Sequence, residues 1–263
     1  MRLNLRGSRL RPIGHLARAD SAGQLPRLGR APVGRLGNLV TNFAEALHAQ
    51  IGDPELSVVL RGSLARGGQS PADVDLILIS SKTPTLPALE TLPPLPLPVE
   101  ADLVTLDTFQ DPLCQTWTRF ALAHSGWTIV GPDLLRNLPS PCVGPVVIGH
   151  LRGVREWWPC HPEDWASSMS ERRLINGWLA KRIIRSLAEG EMVRRNVYSR
   201  DIWPCLQLAS LAFPAHAALL TYIAEQAIFP SGKFTCRARL LTARSLLEKA
   251  YTRHLHGPLK LPR

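Results

Sequence analysis

The sequence predicts an α/β (α+β) protein in which a small mixed β-sheet is followed by a C-terminal helical bundle. Two patterns lead to this fold class. In the first half, three apolar runs of strand length, at 56–60, 73–80 and 99–106, are separated by turns and helix-like segments. From residue 112 onward, apolar residues recur mainly at helical spacing. Strands thus precede helices along the chain, which is typical of an α+β architecture.

The first half is expected to begin with a helix at 36–50, because Leu39, Phe43 and Leu47 recur every four residues. After it we expect strands at 56–60, 73–80 and 99–106 and a helix opening at 63–69. Six prolines between residues 81 and 98 exclude a long regular helix, since proline removes a backbone donor. A crossover between parallel strands usually contains a helix, so at most a short one near 85–92 is expected.

The second half is expected to be helical apart from a short strand at 127–130. The expected helices lie at 112–124, 146–157, 163–189, 201–212, 215–228 and 237–252. The longest carries an apolar stripe that should pack in the core, formed by Leu174, Ile175, Trp178, Leu179, Ile183 and Leu187. A Pro/Gly-rich loop at 132–145 marks a domain boundary. The chain therefore divides into a basic tail at 1–33, a sheet domain at 34–140 and a helical domain at 141–263.

Most of the positive charge lies near the N-terminus. The net charge is +10, but residues 1–35 hold eight arginines and one acidic residue, so the remainder carries only +3. This tail lacks sustained periodicity and is expected to be disordered. The alternatives are an Arg-rich organellar presequence and an arm that contacts nucleic-acid phosphates. The near-neutral remainder argues against a long nucleic-acid track.

The composition is that of a soluble globular protein, with 45% hydrophobic and 20% charged residues. No apolar stretch approaches the roughly 20 residues that span a bilayer, and no secretory signal follows the first basic residues. The five cysteines are odd in number and widely spread, without a Cys-x-x-Cys pair. We therefore expect a cytoplasmic protein with free thiols and no membrane partner.

Residues 61–75 combine a Gly-Ser turn with two aspartates one residue apart. Asp73 and Asp75 open the apolar run at 73–80, and a strand sends residues i and i+2 to the same face, roughly 6.5–7 Å apart. Both carboxylates can therefore reach one divalent metal site. A phosphate held at Gly62-Ser63 would lie against that metal, an arrangement that suits phosphoryl or nucleotidyl transfer.

This pattern resembles the DNA polymerase beta-like nucleotidyltransferase superfamily, whose signature is Gly-Ser, a spacer, Asp-x-Asp and a third carboxylate on a later strand. Gly62-Ser63 and Asp73-Val74-Asp75 match that signature, within a catalytic core that would cover residues 34–110. The resemblance implies Asp102 as the third carboxylate. Glu100 lies two residues earlier, on the same strand face, and is the rival for that position or for a general base.

The resemblance implies a reaction with two Mg²⁺ (or Mn²⁺) ions and a nucleoside triphosphate donor. Asp73 and Asp75 would bridge the ions, while Asp102 would bind the catalytic ion and could accept the hydroxyl proton. Gly62 would let the backbone approach the phosphates closely. Ser63 would donate its backbone N–H and its hydroxyl to the β- and γ-phosphates.

Several cationic or polar residues could complete the nucleotide and acceptor sites. Arg66, one turn after Ser63, is either a phosphate contact or a surface charge. Residues 181–182 and 198–205 resemble the helical half of small bacterial nucleotidyltransferase-domain proteins, which favours Lys181 as a triphosphate contact. Arg185 shares its helix face, although a solvated charged face explains both equally well. Tyr198 and Arg200 are candidates for the acceptor side.

The predicted function is transfer of a nucleoside monophosphate from a nucleoside triphosphate to a hydroxyl of an acceptor, with a small molecule favoured. An aminoglycoside-like compound is one possibility, since the two-domain plan resembles antibiotic-modifying adenylyltransferases in outline. The alternative is a toxin–antitoxin type component that modifies or binds a protein or tRNA partner. A third hypothesis, less favoured, is nucleic-acid binding through the Arg-rich tail.

Overall fold

The computed structural model describes residues 9–68, 71, 73–83, 91–158, 168–231 and 237–255. The chain divides into two compact units. One spans Gln24–Cys142 and is called the sheet unit; the other combines Met1–Gly23 with Val143–Arg263 and is called the helical unit. The expected α+β class, with a small mixed sheet and a helical C-terminal region, is confirmed.

In chain order the strands are β1 (Ala17–Arg18), β2 (Ser57–Arg61), β3 (Val74–Ser80), β4 (Val99–Thr105), β5 (Trp127–Val130) and β6 (Val197–Tyr198). The α-helices are α1 (Gly34–Ile51), α2 (Gly62–Ala65), α3 (Leu106–Gln110), α4 (Thr116–Ser125), α5 (Gly149–Arg152), α6 (Val154–Trp157), α7 (Met169–Arg195), α8 (Ile202–Ala212), α9 (Ala217–Ile228) and α10 (Arg237–Leu255). Short 3-10 helices lie at Leu134–Asn137, Pro145–Ile148 and Pro214–His216.

The sheet unit contains a four-stranded mixed sheet in the order β4-β3-β2-β5. Strands β3 and β4 run parallel, whereas β2 is antiparallel to both β3 and β5. One face packs Leu60, Leu76 and Leu78 against α1, which contributes Phe43 and Leu47. The opposite face is apolar only in its central part, formed by Val59, Ile77, Ile79 and Val104 with Phe109 and Leu122. The rest of that face carries polar side chains, those of Arg61, Asp75, Glu100 and Asp102.

The elements differ from the expected ones mainly where a local cap or glycine intervenes. The helix expected at 63–69 ends at Ala65, because Gly67 adopts a left-handed φ of +80°. The helix expected at 112–124 corresponds to α4, which begins only at Thr116. An additional short helix, α3, capped by the Thr105 side chain, follows β4 and was not expected. The helix expected near 85–92 cannot be assessed, since residues 84–90 lie outside the described part of the chain.

The helical unit is built around α7, which packs on α8, α9 and α10. A capping box formed by Ser168 and Glu171 starts α7, so it begins later than the expected 163–189; residues 159–167 are outside the described set. The apolar stripe predicted for this helix is wrong at one end. Leu179, Ile183 and Leu187 are buried, but Leu174 is 71% and Trp178 38% exposed.

The expectation of a disordered tail at 1–33 is wrong for residues 9–33. In the helical unit, β1 pairs antiparallel with β6, and Leu10 and Ala17 are buried. In the sheet unit, the Leu25 and Leu28 N–H groups donate to carbonyls of Pro141 and His124. Main-chain pairing of this kind needs no side-chain periodicity, so the pattern of apolar residues did not reveal it. Residues 1–8 lie outside the described residues.

Among the described residues, none of the helices combines the length and apolar character needed to cross a bilayer. Cys114, Cys142 and Cys205 are free thiols. The other two cysteines, Cys160 and Cys236, fall outside the residues that the structure describes.

Candidate functional site

The Gly-Ser turn follows directly from β2 and packs on the first carboxylate of β3. Gly62 adopts φ +76°, and a Cβ built on it would overlap the Asp75 Oδ2 atom. Only glycine combines this backbone conformation with such a close approach. The turn is closed by the Gly68 N–H, which donates to the Ser63 carbonyl at 2.8 Å. Gly62 therefore serves first to bring the main chain against the Asp75 carboxylate.

The strand register places the predicted carboxylates on one face of the sheet. Asp75 pairs with Glu100 of β4 on one side and with Arg61 of β2 on the other, and Asp102 pairs with Ile77. Because side chains alternate along each strand, Asp75, Glu100 and Asp102 all lie on the face that carries Ile77. Asp73 immediately precedes β3. We call these four residues, Asp73, Asp75, Glu100 and Asp102, the acidic patch.

The neighbouring carboxylates of the acidic patch perturb Glu100. The pKa of Glu100 lies above its ordinary value, first because of partial burial and then because of the negative charges of Asp75 and Asp73. Arg61 opposes this shift. Glu100 is nevertheless an exposed residue, so its carboxylate is accessible from solvent. An excess of negative charge at this end of the sheet is what a bound cation would neutralise.

Arg61 is a site residue that the sequence analysis missed. Its Nη2 donates to Asp102 Oδ2 at 2.5 Å, in an ion pair whose side chains are 30% and 61% exposed. It is the last residue of β2 and the register partner of Asp75, so its side chain reaches across β3 to β4. An arginine that ends an otherwise apolar strand, just before the Gly-Ser turn, was the available signal.

The acidic patch fits a divalent cation in the chemistry of its donors, since carboxylate oxygens are the ligands of Mg²⁺ and Mn²⁺. In the described residues, however, no three Asp, Glu, His or Cys side chains converge closely enough to hold one ion. Two physical reasons account for this spacing. Carboxylates of like charge repel one another, and Asp102 is held by Arg61. Asp75 and Glu100, adjacent in register, are the best placed pair.

A small depression lies beside Asp102. It has a volume of about 270 Å³ and is lined by Ile77, Asp102, Leu103, Val104, Gln115 and Thr118. Gln115 adopts a left-handed backbone with φ +48°, which is uncommon for a residue other than glycine. Its Oε1 accepts a hydrogen bond from the Thr118 hydroxyl at 3.0 Å. A carboxylate, an amide and a hydroxyl thus line the depression together with apolar residues of β3 and β4.

The other predicted residues fall in both units. Arg66 belongs to the sheet unit, where its Nη1 donates to the Gly62 carbonyl at 2.9 Å. Lys181 and Arg185 lie one turn apart on α7 in the helical unit. The structure brings Arg185 to Arg200, since the Arg185 Nε donates to the Arg200 carbonyl at 3.0 Å. Tyr198 is only 2% exposed in β6, so its ring is part of the core of that unit.

The helical unit contains a second group of ionisable side chains that the sequence did not reveal. We call it the buried polar cluster: His150, Glu189, Arg185 and Arg200. Glu189 accepts hydrogen bonds from the His150 ring at 2.8 Å and from the Leu151 N–H at 2.8 Å. Arg200 contacts the His150 ring nitrogens at 3.0 and 3.1 Å. Glu189 therefore anchors the start of α5 to α7.

Burial dominates the titration of this cluster. It raises the pKa of Glu189 to about 8, although the Leu151 N–H and Arg200 oppose the shift. The pKa of His150 is lowered well below its ordinary value, first by burial and then by Arg200 and Arg185. The His150 ring is therefore neutral at pH 7. The Cys205 thiol is also fully buried, and burial raises its pKa to about 12, so it is not a nucleophile.

No protein-family model matches this sequence, and the search of curated proteins also found no match.

Proposed function

We propose that the chain is a metal-dependent nucleotidyltransferase, which moves a nucleoside monophosphate from a nucleoside triphosphate to a hydroxyl of a small acceptor. One observation supports this most: the Gly62 turn packs on Asp75, on a sheet face that also carries Glu100 and Asp102. Such an enzyme needs a phosphate-binding turn next to carboxylates that hold a cation, because the cation neutralises the phosphate charge.

Asp73 and Asp75 would hold the Mg²⁺ or Mn²⁺ ions, together with Glu100 or Asp102 as the third carboxylate. When bound, the ions would polarise the acceptor hydroxyl and neutralise charge on the triphosphate. The strand register favours Glu100 for this role, because it lies directly beside Asp75. Asp102 would have to give up its ion pair with Arg61 before it could bind a metal ion. Both residues therefore stay candidates for this position.

The reaction forms a bond between the acceptor oxygen and the α-phosphorus. The bond from the α-phosphorus to the bridging oxygen breaks, and pyrophosphate leaves. The hydroxyl proton passes to a carboxylate of the acidic patch. Glu100 suits this role because its raised pKa makes it a stronger base near neutral pH. Asp102 is the alternative acceptor of the proton.

The depression beside Asp102 supports a small hydroxylated acceptor. Its volume of about 270 Å³ lies just below the range of small-molecule sites, roughly 300–1,000 Å³, so it would suit a small acceptor or one part of a larger one. Asp102, Gln115 and Thr118 offer groups that both donate and accept hydrogen bonds with hydroxyls. The predicted roles of Lys181, Arg185 and Arg200 at the nucleotide or acceptor remain proposals.

The proposal is tested with each α-labelled nucleoside triphosphate, Mg²⁺ or Mn²⁺, and a panel of aminoglycosides and simple polyols. We expect label transfer to a small hydroxylated compound that is abolished in Asp73→Ala/Asp75→Ala. Asp107→Asn is the matched control, since Asp107 lies in the first turn of α3, outside the acidic patch. Transfer that persists in the double variant would refute the mechanism.

Two further arms resolve the open assignments. Glu100→Gln and Asp102→Asn are compared in the same assay, and the variant with the larger loss identifies the third carboxylate. Total protein and tRNA from a cell extract are added in place of the small acceptors. Label found only in a protein or in tRNA would favour the toxin–antitoxin type alternative over a small-molecule acceptor.

A further inference from the structure

We propose that Arg30, from the segment that precedes α1, forms a phosphate-binding pair with Arg66 at the Gly62–Gly68 turn and contacts the terminal phosphates of the nucleoside triphosphate. This inference rests on the function proposed above and adds a residue to the same site. Arg30 belongs to the region that the sequence analysis treated as a tail, and it lies in the sheet unit with the turn.

Arg30 is fixed to the turn by its main chain and by its side chain. Its N–H donates to the Ala65 carbonyl at 3.1 Å, and its Nη2 donates to the Arg66 carbonyl at 3.2 Å. Gly67 leaves room for the guanidinium, because a Cβ at this position would overlap Nη2, Cζ and Nε of Arg30. The guanidinium therefore occupies a position that the turn is shaped to accept.

Arg66 flanks the same turn from its other end. Its Nη1 donates to the Gly62 carbonyl, and Gly62 in turn lies against Asp75. The Arg66 guanidinium thus contacts the turn at Gly62, the Arg30 guanidinium contacts it at Arg66 and Gly67, and the turn begins at the acidic patch. A triphosphate laid along it would meet cationic side chains at its phosphates while its metal ions faced the carboxylates.

The donors of Arg30 are suited to a ligand. A guanidinium has five N–H donors in a rigid fork that matches phosphate oxygens. In the described contacts the Arg30 side chain uses only Nη2, toward Arg66, and the residue is exposed. Within the part of the chain that the structure describes, none of its side-chain contacts is to a carboxylate. The positive charge is therefore available to an anion.

The test uses calorimetry to measure how tightly the full chain binds two kinds of ligand, Mg²⁺-loaded nucleoside triphosphates and inorganic tripolyphosphate. Loss of one charge-assisted contact typically costs a factor of about 10 to 100 in affinity. We expect Arg30→Ala to weaken both ligands by that factor and to change nucleoside monophosphate binding much less. Arg30→Lys should recover only part of the affinity, because lysine lacks the fork.

Arg35→Ala is the matched control, because Arg35 is an exposed arginine of α1 in the same unit. Circular dichroism and thermal unfolding establish that each variant is folded. If Arg30→Ala binds the triphosphates as tightly as Arg35→Ala, this inference is overturned while the proposed function stands. If the wild type binds neither triphosphates nor tripolyphosphate, both are overturned.

Two remaining outcomes separate the sources of the phosphate. In the first outcome, Arg30→Ala loses tripolyphosphate binding, but the wild type transfers no nucleotide to any acceptor. The phosphate site would then stand and the proposed function would be refuted. In the second outcome, the wild type binds a single-stranded RNA more tightly than any triphosphate, and Arg30→Ala loses this binding. The arginine pair would then be assigned to nucleic acid, and the assignment to a nucleoside triphosphate would be overturned.

Discussion

The acidic patch of the sheet unit and the buried polar cluster of the helical unit both gather ionisable side chains, but they differ in exposure and in the sign of their charges. In the patch, Asp75, Glu100 and Asp102 share one face, Asp73 immediately precedes β3, and Arg61 of β2 pairs with Asp102. In the cluster, Glu189 is enclosed by His150, Arg200 and the backbone of α5.

This difference distinguishes polar groups that stabilise the fold from polar groups that are available to a ligand. A buried carboxylate has to be satisfied within the protein, because burial without partners is costly. The cluster meets that requirement through its own hydrogen bonds. An exposed group of like charges costs less to maintain and remains open to a cation. We therefore expect changes in the cluster to affect stability and changes in the patch to affect activity.

The largest effect is expected from Glu189→Ala. It removes the acceptor for the Leu151 N–H and the His150 ring, and each buried donor left unsatisfied typically costs about 1–3 kcal/mol. Denaturant unfolding measures the change. Glu248→Ala, which breaks a partly exposed pair with Arg244, should cost less than about 1 kcal/mol. If the two variants lost equal free energy of unfolding, the buried polar cluster would not be a special source of stability.

Asp75→Asn should show the opposite behaviour. Removing an interaction made in the transition state typically lowers the rate by about 10²–10³-fold, and label transfer should fall by at least that much. The free energy of unfolding should stay within about 0.5 kcal/mol of the wild type, because one of several repelling charges is removed. A strongly destabilised Asp75→Asn would indicate that the patch is structural.

The third prediction concerns the pH dependence of stability. The pKa of Glu189, about 8 in the folded chain, lies above its ordinary value of 4.5, so its contribution is full at low pH and declines as the pH rises through 8. The lowered pKa of His150 has the opposite effect: below its ordinary value of 6.5, it makes the stability rise with pH. Of these two groups, Glu189 dominates the pH dependence between pH 6.5 and 8.

Stability should therefore fall by about 1–2 kcal/mol across that window, since one pKa unit corresponds to about 1.36 kcal/mol. Glu189→Gln cannot titrate and should remove the decline. Unfolding curves recorded at pH 6.5, 7.25 and 8 make the comparison. A wild-type profile parallel to that of Glu189→Gln would show that Glu189 is already ionised at neutral pH.

The smallest effect is expected from Arg61→Ala. Its ion pair with Asp102 is partly exposed, and such pairs contribute about 0–1 kcal/mol. The informative readout is the pKa of Glu100, which Arg61 lowers and which should rise in the variant. Carbon-detected NMR titration measures it. An unchanged Glu100 pKa would mean that the patch is not electrostatically coupled.

Much of the candidate site could be predicted from spacing alone. The alternation of Asp73, Asp75 and the apolar residues after them predicted a strand with both aspartates at its start, and β3 begins at Val74. The same parity argument placed Glu100 and Asp102 on one face. The sequence favoured Asp102 over Glu100 as the third carboxylate. Local spacing does not give the register of β3 and β4, which places Glu100 directly beside Asp75.

The contacts that cross long stretches of chain were not predictable. The ion pair of Arg61 with Asp102 spans 41 residues, and the hydrogen bond of Arg30 with Arg66 spans 36. The segment at 9–33 was expected to be disordered for the same reason. It is held by main-chain hydrogen bonds, and these leave no mark in the order of apolar and polar residues.

The sequence by itself determined the α+β class, the Gly62-Ser63 turn and the position of the carboxylates within their strands, because these features follow from short-range periodicity and from the conformational freedom of glycine. Only the tertiary structure decided which carboxylate lies beside Asp75, that Arg61 and Arg30 join the turn, and that Glu189 is buried. Those features depend on strand register and on packing between distant segments, and neither is encoded in local spacing.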